Sequence, residues 1–164
     1  MPKISDIENT PNPDARKFIL KEPLTYGIIK SFDNKAEADK DELASEIFQI
    51  SNVVSVFYVD NWITITQDGH ADWKVLMRQI ADIIREAPSA KKEDDQFKKN
   101  ISWLENITNL TEIEKSKLEE ISEILDEEIR PYLQGDGGDV HIVSFENNIL
   151  SIHYQGACGS CPSS

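Results

Sequence analysis

The sequence predicts an α+β protein made of two small α+β domains joined by a flexible acidic linker. Three observations lead there. Two separate stretches, 53–66 and 140–154, carry the apolar alternation of hairpin arms around a short turn. Helical spacing of apolar residues follows the first of these and precedes the second. Between the halves, Pro88-Ser89-Ala90-Lys91-Lys92-Glu93-Asp94-Asp95 is small and charged, which is linker composition. The boundaries read as a first domain over 1–88, a linker over 89–110 and a second domain over 111–164.

In the first domain, Thr10-Pro11 and Asn12-Pro13-Asp14 signal a turn. Lys17-Phe18-Ile19-Leu20 follows as a strand, with a second expected at Tyr26-Gly27-Ile28-Ile29. Asp41 to Ile50 reads as a helix, because Leu43, Ile47 and Ile50 fall on one face. Val53 to Val59 is β-branched and aromatic. Asp60-Asn61 turns the chain, and Trp62 to Thr66 returns as the second arm. Asp72 caps a further helix with Trp73, Leu76, Ile80 and Ile83 or Ile84 as its buried stripe, ended by Pro88. His70, beside Gly69, reads as a solvated loop histidine, and Trp62 and Trp73 as core residues. No metal, phosphate or nucleophile signature marks this half, which fits a partner-docking or regulatory module.

After the linker, Ile101, Trp103, Leu104 and Ile107 suggest a short amphipathic segment. Thr111-Glu112-Ile113-Glu114 is a capping box, and Leu118, Ile121, Leu125 and Ile129 continue the helix at steps of three and four. Glu119, Glu120, Glu123, Asp126 and Glu127 form its solvated face. Pro131 is expected to close the helix. Gly135-Asp136-Gly137-Gly138-Asp139 then allows a tight turn, but with two acids and no lysine it makes a poor phosphate loop. Val140 to Phe145 and Ile149 to Tyr154 form a hairpin around Asn147-Asn148. Leu150, Ile152 and Tyr154 share one face of the second arm, which turns His153 to solvent; His141 and His153 read as surface histidines.

The chain has 164 residues, a net charge of −13, a pI of about 4.6 and 39% hydrophobic content. So acidic a surface argues against nucleic acid and anionic membranes, and no apolar run reaches the length of a membrane span. The N-terminus lacks the apolar core of a signal peptide and the arginines of a transit peptide. A soluble protein of a reducing compartment is expected, with the bacterial cytoplasm preferred and the mitochondrial matrix as the location of a mature organellar form.

The only cysteines, Cys158 and Cys161, form a C-x-x-C pair directly after the last strand. That spacing turns two sulfurs toward one point and suits zinc, an iron–sulfur cluster or a reversible disulfide. A thioredoxin-type pair normally follows the first strand of a βαβ unit, and none precedes this one. A metal or cluster usually needs four ligands, so two thiolates imply a second subunit. Gly156 and Gly159 leave room for backbone beside a cluster and free amides as donors to sulfur, while Pro162 fits the first turn of a following helix whose positive end would lower the thiol pKa. Carrier, thiol–disulfide oxidoreductase and zinc-bridged structural dimer all remain open on the spacing alone.

The neighbours of the pair resemble a known family. Arg130-Pro131-Tyr132-Leu133, Gly135-Asp136-Gly137-Gly138-Asp139-Val140, the hairpin, and Gly156-Ala157-Cys158-Gly159-Ser160-Cys161-Pro162-Ser163-Ser164 are similar to the C-terminal domain of NifU-like (Nfu-type) iron–sulfur cluster proteins. Asn9-Thr10-Pro11-Asn12-Pro13, Lys17-Phe18, Leu43-Ala44, Ile47-Phe48, the 53–66 stretch and Trp73 fall in the order of the Nfu N-terminal domain. Members of that family usually continue past C-P-S-S into a helix, so the second domain is expected to be truncated at its C-terminal helix.

The resemblance implies a non-enzymatic assembly protein that binds a 4Fe–4S cluster between two subunits. Cys158 and Cys161 of each would be the ligands, with Gly156, Gly159 and Pro162 shaping the loop. The protein would be a homodimer when loaded, receive its cluster from an upstream scaffold and pass it to apo iron–sulfur client proteins. Exchange of thiolates with a client calls for partial exposure and a low thiol pKa.

Overall fold

The computed structural model describes residues 2–90 and 110–163. Nearly all of the expected linker, and the whole amphipathic segment from Ile101 to Ile107, lie outside these residues.

The first half is an antiparallel sheet of order β1-β2-β5-β4-β3, formed by β1 (Ile4–Asn9), β2 (Ala15–Leu20), β3 (Lys30–Phe32), β4 (Val53–Val59) and β5 (Trp62–Gln67). Asp60 takes the positive φ of 49° that closes the β4–β5 hairpin. Three helices accompany the sheet: α1 (Lys35–Ala38), α2 (Glu42–Ile47) and α3 (Trp73–Glu86). Asp41 caps α2 by accepting from Ala44 N–H, and Asp72 caps α3 by accepting from Lys74 N–H, each satisfying one orphan amide of a first turn. The expected strand at 26–29 falls later, at Lys30–Phe32, because Gly27 adopts φ +73° in a turn.

Phe18, Leu20, Ile47, Val56, Ile63, Ile65, Leu76 and Ile80 form the core between this sheet and α2 and α3. Each fully buried aliphatic or aromatic side chain there contributes about 1.5–3 kcal/mol. The period of two puts Phe57, Thr64 and Thr66 on the opposite face of β4 and β5. That face is buried too, with Phe57 0% exposed. The second half of the chain covers it, through contacts of β7 with β4 and β5. Trp62 and Trp73 are half-buried rather than core residues. The Trp62 ring packs 5.3 Å from Phe57 under the Lys17 ammonium, and Trp73 lies under the Arg16 guanidinium.

The second half begins with α4 (Glu112–Ile124), whose Thr111–Glu114 capping box forms in both directions. Its acidic face is exposed. Leu118 packs with Ile142 and Phe145 of the hairpin formed by β6 (Gly138–Glu146) and β7 (Ile149–Gly156), with Ile121, Leu125 and Leu150 partly buried around them. Ile129, expected on this stripe, is exposed, as are Ile152 and Tyr154 on β7. Asn147 and Asn148 take φ of 51° and 60°, which the two-residue turn requires.

Pro131 does not close the helix. A π-helical turn, Leu125–Ile129, follows α4, and α5 (Arg130–Gly135) continues beyond it. Arg130 N–H bonds to Leu125 O, five residues back. The extra residue in that turn places Pro131 in the first turn of α5, where its missing N–H leaves no hydrogen bond unmade.

Candidate functional site

Beyond β7 the chain makes two successive tight turns. Gly159 N–H donates to Gly156 O at 3.1 Å, and Cys161 N–H to Cys158 O at 3.4 Å. Both cysteines are free thiols, and these turns bring them onto one cleft of about 300 Å³ that Leu133, Asp136 and Tyr154 also line. Two glycines make the loop possible. Gly156 adopts φ +62°, and a Cβ there would lie 2.7 Å from Gly137 O. A Cβ on Gly138 would overlap the Cys158 sulfur. The amide offered to sulfur comes from neither expected glycine: Ser163 N–H donates to Cys161 Sγ at 3.4 Å. Pro162 opens a turn with Ser163.

The two thiols differ. Cys161 is partly exposed, whereas Cys158 is 6% exposed. Burial pushes the Cys158 thiol up to about 11, helped by the nearby charges of Asp136, Cys161 and Asp139. The low thiol pKa expected from the sequence is therefore not found at Cys158, because desolvation and acidic neighbours act in the same direction.

The loop also touches the first half of the chain. Asn12 Nδ2 donates to Ala157 O and to Ser160 Oγ, each at 3.0 Å. Lys17 Nζ donates to Gln134 O at 2.9 Å and Gly135 O at 3.3 Å, at the carbonyl end of α5. Phe57 lies against Gly156, and Thr64 and Thr10 against Gly137. Sequence reasoning did not connect these residues with the cysteines. The Thr10-Pro11-Asn12-Pro13 segment signals a turn and carries part of the family resemblance, but no local pattern encodes a bond to a residue 145 positions away.

The histidines lie elsewhere. His70 is exposed in its loop. His141 and His153 face each other across the hairpin with ring centroids 5.2 Å apart, and His153 Nε2 is 3.6 Å from Asp33 Oδ2. Burial, then the neighbouring His153, holds His141 below the usual imidazole range. Among the described residues, no group of three or more His, Cys, Asp and Glu side chains is placed to hold a metal ion.

The family model for the scaffold protein Nfu/NifU N-terminal domain matches residues 4–91, and that for the NifU-like domain matches residues 121–164. The chain belongs to the Nfu/NifU scaffold-protein family. The mitochondrial NFU1 iron-sulfur cluster scaffold homolog of Homo sapiens is 35% identical over 162 residues, covering 96% of this chain and 60% of that protein. Its namesake from Drosophila persimilis is 31% identical over 163 residues, covering 96% and 55%. The mitochondrial NifU-like protein 5 of Arabidopsis thaliana is 31% identical over 159 residues, covering 96% and 57%. The chain thus spans 55–60% of the length of these Nfu/NifU relatives. Among the described residues no helix is long and apolar enough to cross a membrane.

Proposed function

We propose that this protein holds a 4Fe–4S cluster between two copies of the chain, with Cys158 and Cys161 of each as the ligands, and hands it to apo-proteins. The cluster is cargo, received from an upstream scaffold, and no substrate is turned over. One observation carries the reading: in a chain of this scaffold family, both cysteines open onto one cleft as free thiols. No cluster of further donors accompanies them among the described residues. Two thiolates are half of a four-iron site, so a second chain supplies the rest.

Gly156, Gly159 and Pro162 set the loop that presents the sulfurs. Iron takes thiolates, so binding expels the proton that burial holds on Cys158, and loading is favoured by rising pH. A cluster shared across a subunit boundary leaves when the subunits part, which suits a donor. We assign the protein to a reducing compartment, the cytoplasm of a bacterium or the mitochondrial matrix, where thiols persist.

A dithiol oxidoreductase fits less well. A thioredoxin-type pair follows the first strand of a βαβ unit, whereas Cys158 and Cys161 follow the antiparallel β6–β7 hairpin. Anaerobic reconstitution with iron and sulfide, read by absorption and Mössbauer spectra, tests the reading. The expected result is the signature of a four-iron cubane. Zinc retained in preference to iron, or disulfide-reductase turnover by the iron-free chain, would count against it.

A further inference from the structure

The cleft that receives both thiols is walled on one side by the other half of the chain. Pro11 and Asn12 line it together with Cys158 and Cys161. Asn12 is 1% exposed and uses its two amide atoms differently. Oδ1 accepts from Asp14 N–H at 3.0 Å, which fixes the Thr10–Pro13 turn within its own sheet. Nδ2 reaches across to Ala157 O, just before Cys158, and to Ser160 Oγ, just before Cys161. One side chain therefore grips the cysteine loop at both ends.

A second tie acts independently. Lys17, 8% exposed, places its ammonium on the carbonyls of Gln134 and Gly135, the negative end of α5. These polar ties stand beside the packing of Phe57 against Gly156. Each hydrogen bond contributes modestly once exchange with water is counted, more where the lysine charge takes part.

We infer that Asn12 is a latch that holds the N-terminal domain over the cysteine loop, and that the latched chain is the closed form of the cluster site. The inference rests on the reading of Cys158 and Cys161 as ligands. Four thiolates must converge on one bridged cluster. With Pro11 and Asn12 lining the cleft, Cys158 stays 6% exposed and only Cys161 is partly exposed, so the latched chain does not offer both thiols to a cluster shared with a second chain. Release of Asn12 from Ala157 and Ser160 lifts the Thr10–Pro13 turn and opens that side. The N-terminal domain then regulates the site it covers, and Asn12 is a positioning residue that acts through the loop backbone.

Asn12→Ser in the full chain tests this. The shorter hydroxyl still caps the turn to Asp14 N–H but cannot reach Ala157 O, and it adds no charge beside the thiols. Lys17→Met releases the interface from its other tie. The first readout is the rate of Cys158 alkylation by iodoacetamide in the cluster-free protein, followed by peptide mass spectrometry with Cys161 as internal reference. The second is the rate of cluster loading during reconstitution. Both variants are expected to speed Cys158 alkylation by about tenfold, as loss of buried hydrogen bonds shifts the population to the open form, and to load cluster faster. Unchanged Cys158 alkylation in both variants would overturn the latch. Faster alkylation with slower loading would overturn the closed-form assignment, since the docked chain would then be the competent one. Failure of every chain, wild type included, to load cluster would sink the proposed function and the gating that depends on it. The alkylation result, read without iron, decides the latch separately.

Discussion

The guanidinium of Arg130 lies 3.5 Å from the carboxylate of Asp139 and ties the start of α5 to the start of β6, across the turn that backs the cysteine loop. Asp139 is 1% exposed. Burial pushes its pKa above the ordinary carboxylate value, against the pull of Arg130, Val140 N–H and Gln134. Arg130 also pairs with Asp126 at 2.7 Å, so one cation serves the π-helical turn and the strand together.

Replacing Arg130 with alanine leaves the buried carboxylate without its cation. The expected cost is about 3 kcal/mol of stability in the C-terminal half, measured by urea denaturation. The pH dependence has a definite sign. A raised folded-state pKa contributes stability below the unfolded value, lost as pH rises through the folded one. Loss of Arg130 raises that pKa further, so the deficit of Arg130→Ala should shrink as pH is lowered toward about 4. A deficit that grows on acidification would show that the pair is not the cause.

Leu118 joins α4 to the hairpin. The fully buried part of this second core is Leu118, Ile142 and Phe145. Leu118→Ala should cost about 3 kcal/mol, and a core this small has little to spare. Hydrogen exchange should show amides of α4, β6 and β7 losing protection while β2, β4 and β5 keep theirs. Simultaneous loss in both halves would mean that they unfold as one unit.

Asp41 carries the acid sensitivity of the first half. It accepts from Lys30 Nζ at 2.8 Å, Tyr58 Oη at 2.7 Å and Ala44 N–H at 3.0 Å. Burial alone would raise its pKa, but these partners outweigh burial and the pKa is lowered. Its contribution is present above the unfolded value near 4 and is lost as pH falls through the lowered folded value. Asp41→Asn should cost about 2 kcal/mol at neutral pH and flatten the acid limb of a stability–pH curve. Burial, then Asp41, raises the Tyr58 phenol well above its ordinary value, so a second loss of stability is expected above about pH 10.

The elements that could be read in the sequence are those with local causes. Asp41, Asp72 and Thr111 each cap the helix that they precede, and Asn147-Asn148 closes its hairpin. The fold class and both halves followed from such signals, as did the pair of cysteines after the last strand. Local rules failed where a distant partner decides. β1 was missed because Ser5, Asp6, Glu8 and Asn9 make an exposed polar edge without alternation. Pro131 reads as a terminator, and only the π-helical turn before it lets the helix resume. Both faces of β4 are buried from Val56 to Val59 because the second half of the chain covers Phe57, a fact of tertiary contact. The raised Cys158 pKa has the same origin: burial beside Asp136 and Asp139 is a property of the folded loop.

That pKa makes the two thiols chemically distinct. With Cys158 pushed up to about 11 by burial, alkylation near neutral pH should fall first on the partly exposed Cys161. The Cys158 rate should climb steadily as pH is raised toward that value. The raised pKa also means that the iron-free protein loses stability as pH rises past the ordinary thiol range, where the unfolded-state thiol ionises first. Equal rates at the two cysteines across the range, followed by mass spectrometry, would contradict the buried environment of Cys158.

The iron content of the reconstituted protein at a known mass tests the bridged cluster most directly. Iron and sulfide should be counted on the species whose size is fixed by light scattering. About four irons and four sulfides per two chains are expected, with reversion toward monomer when a chelator removes the iron. Cys158→Ser and Cys161→Ser should each abolish stable binding while circular dichroism shows a folded chain. A monomer carrying a full cluster of its own, or either serine variant retaining the cluster, would contradict the bridged site.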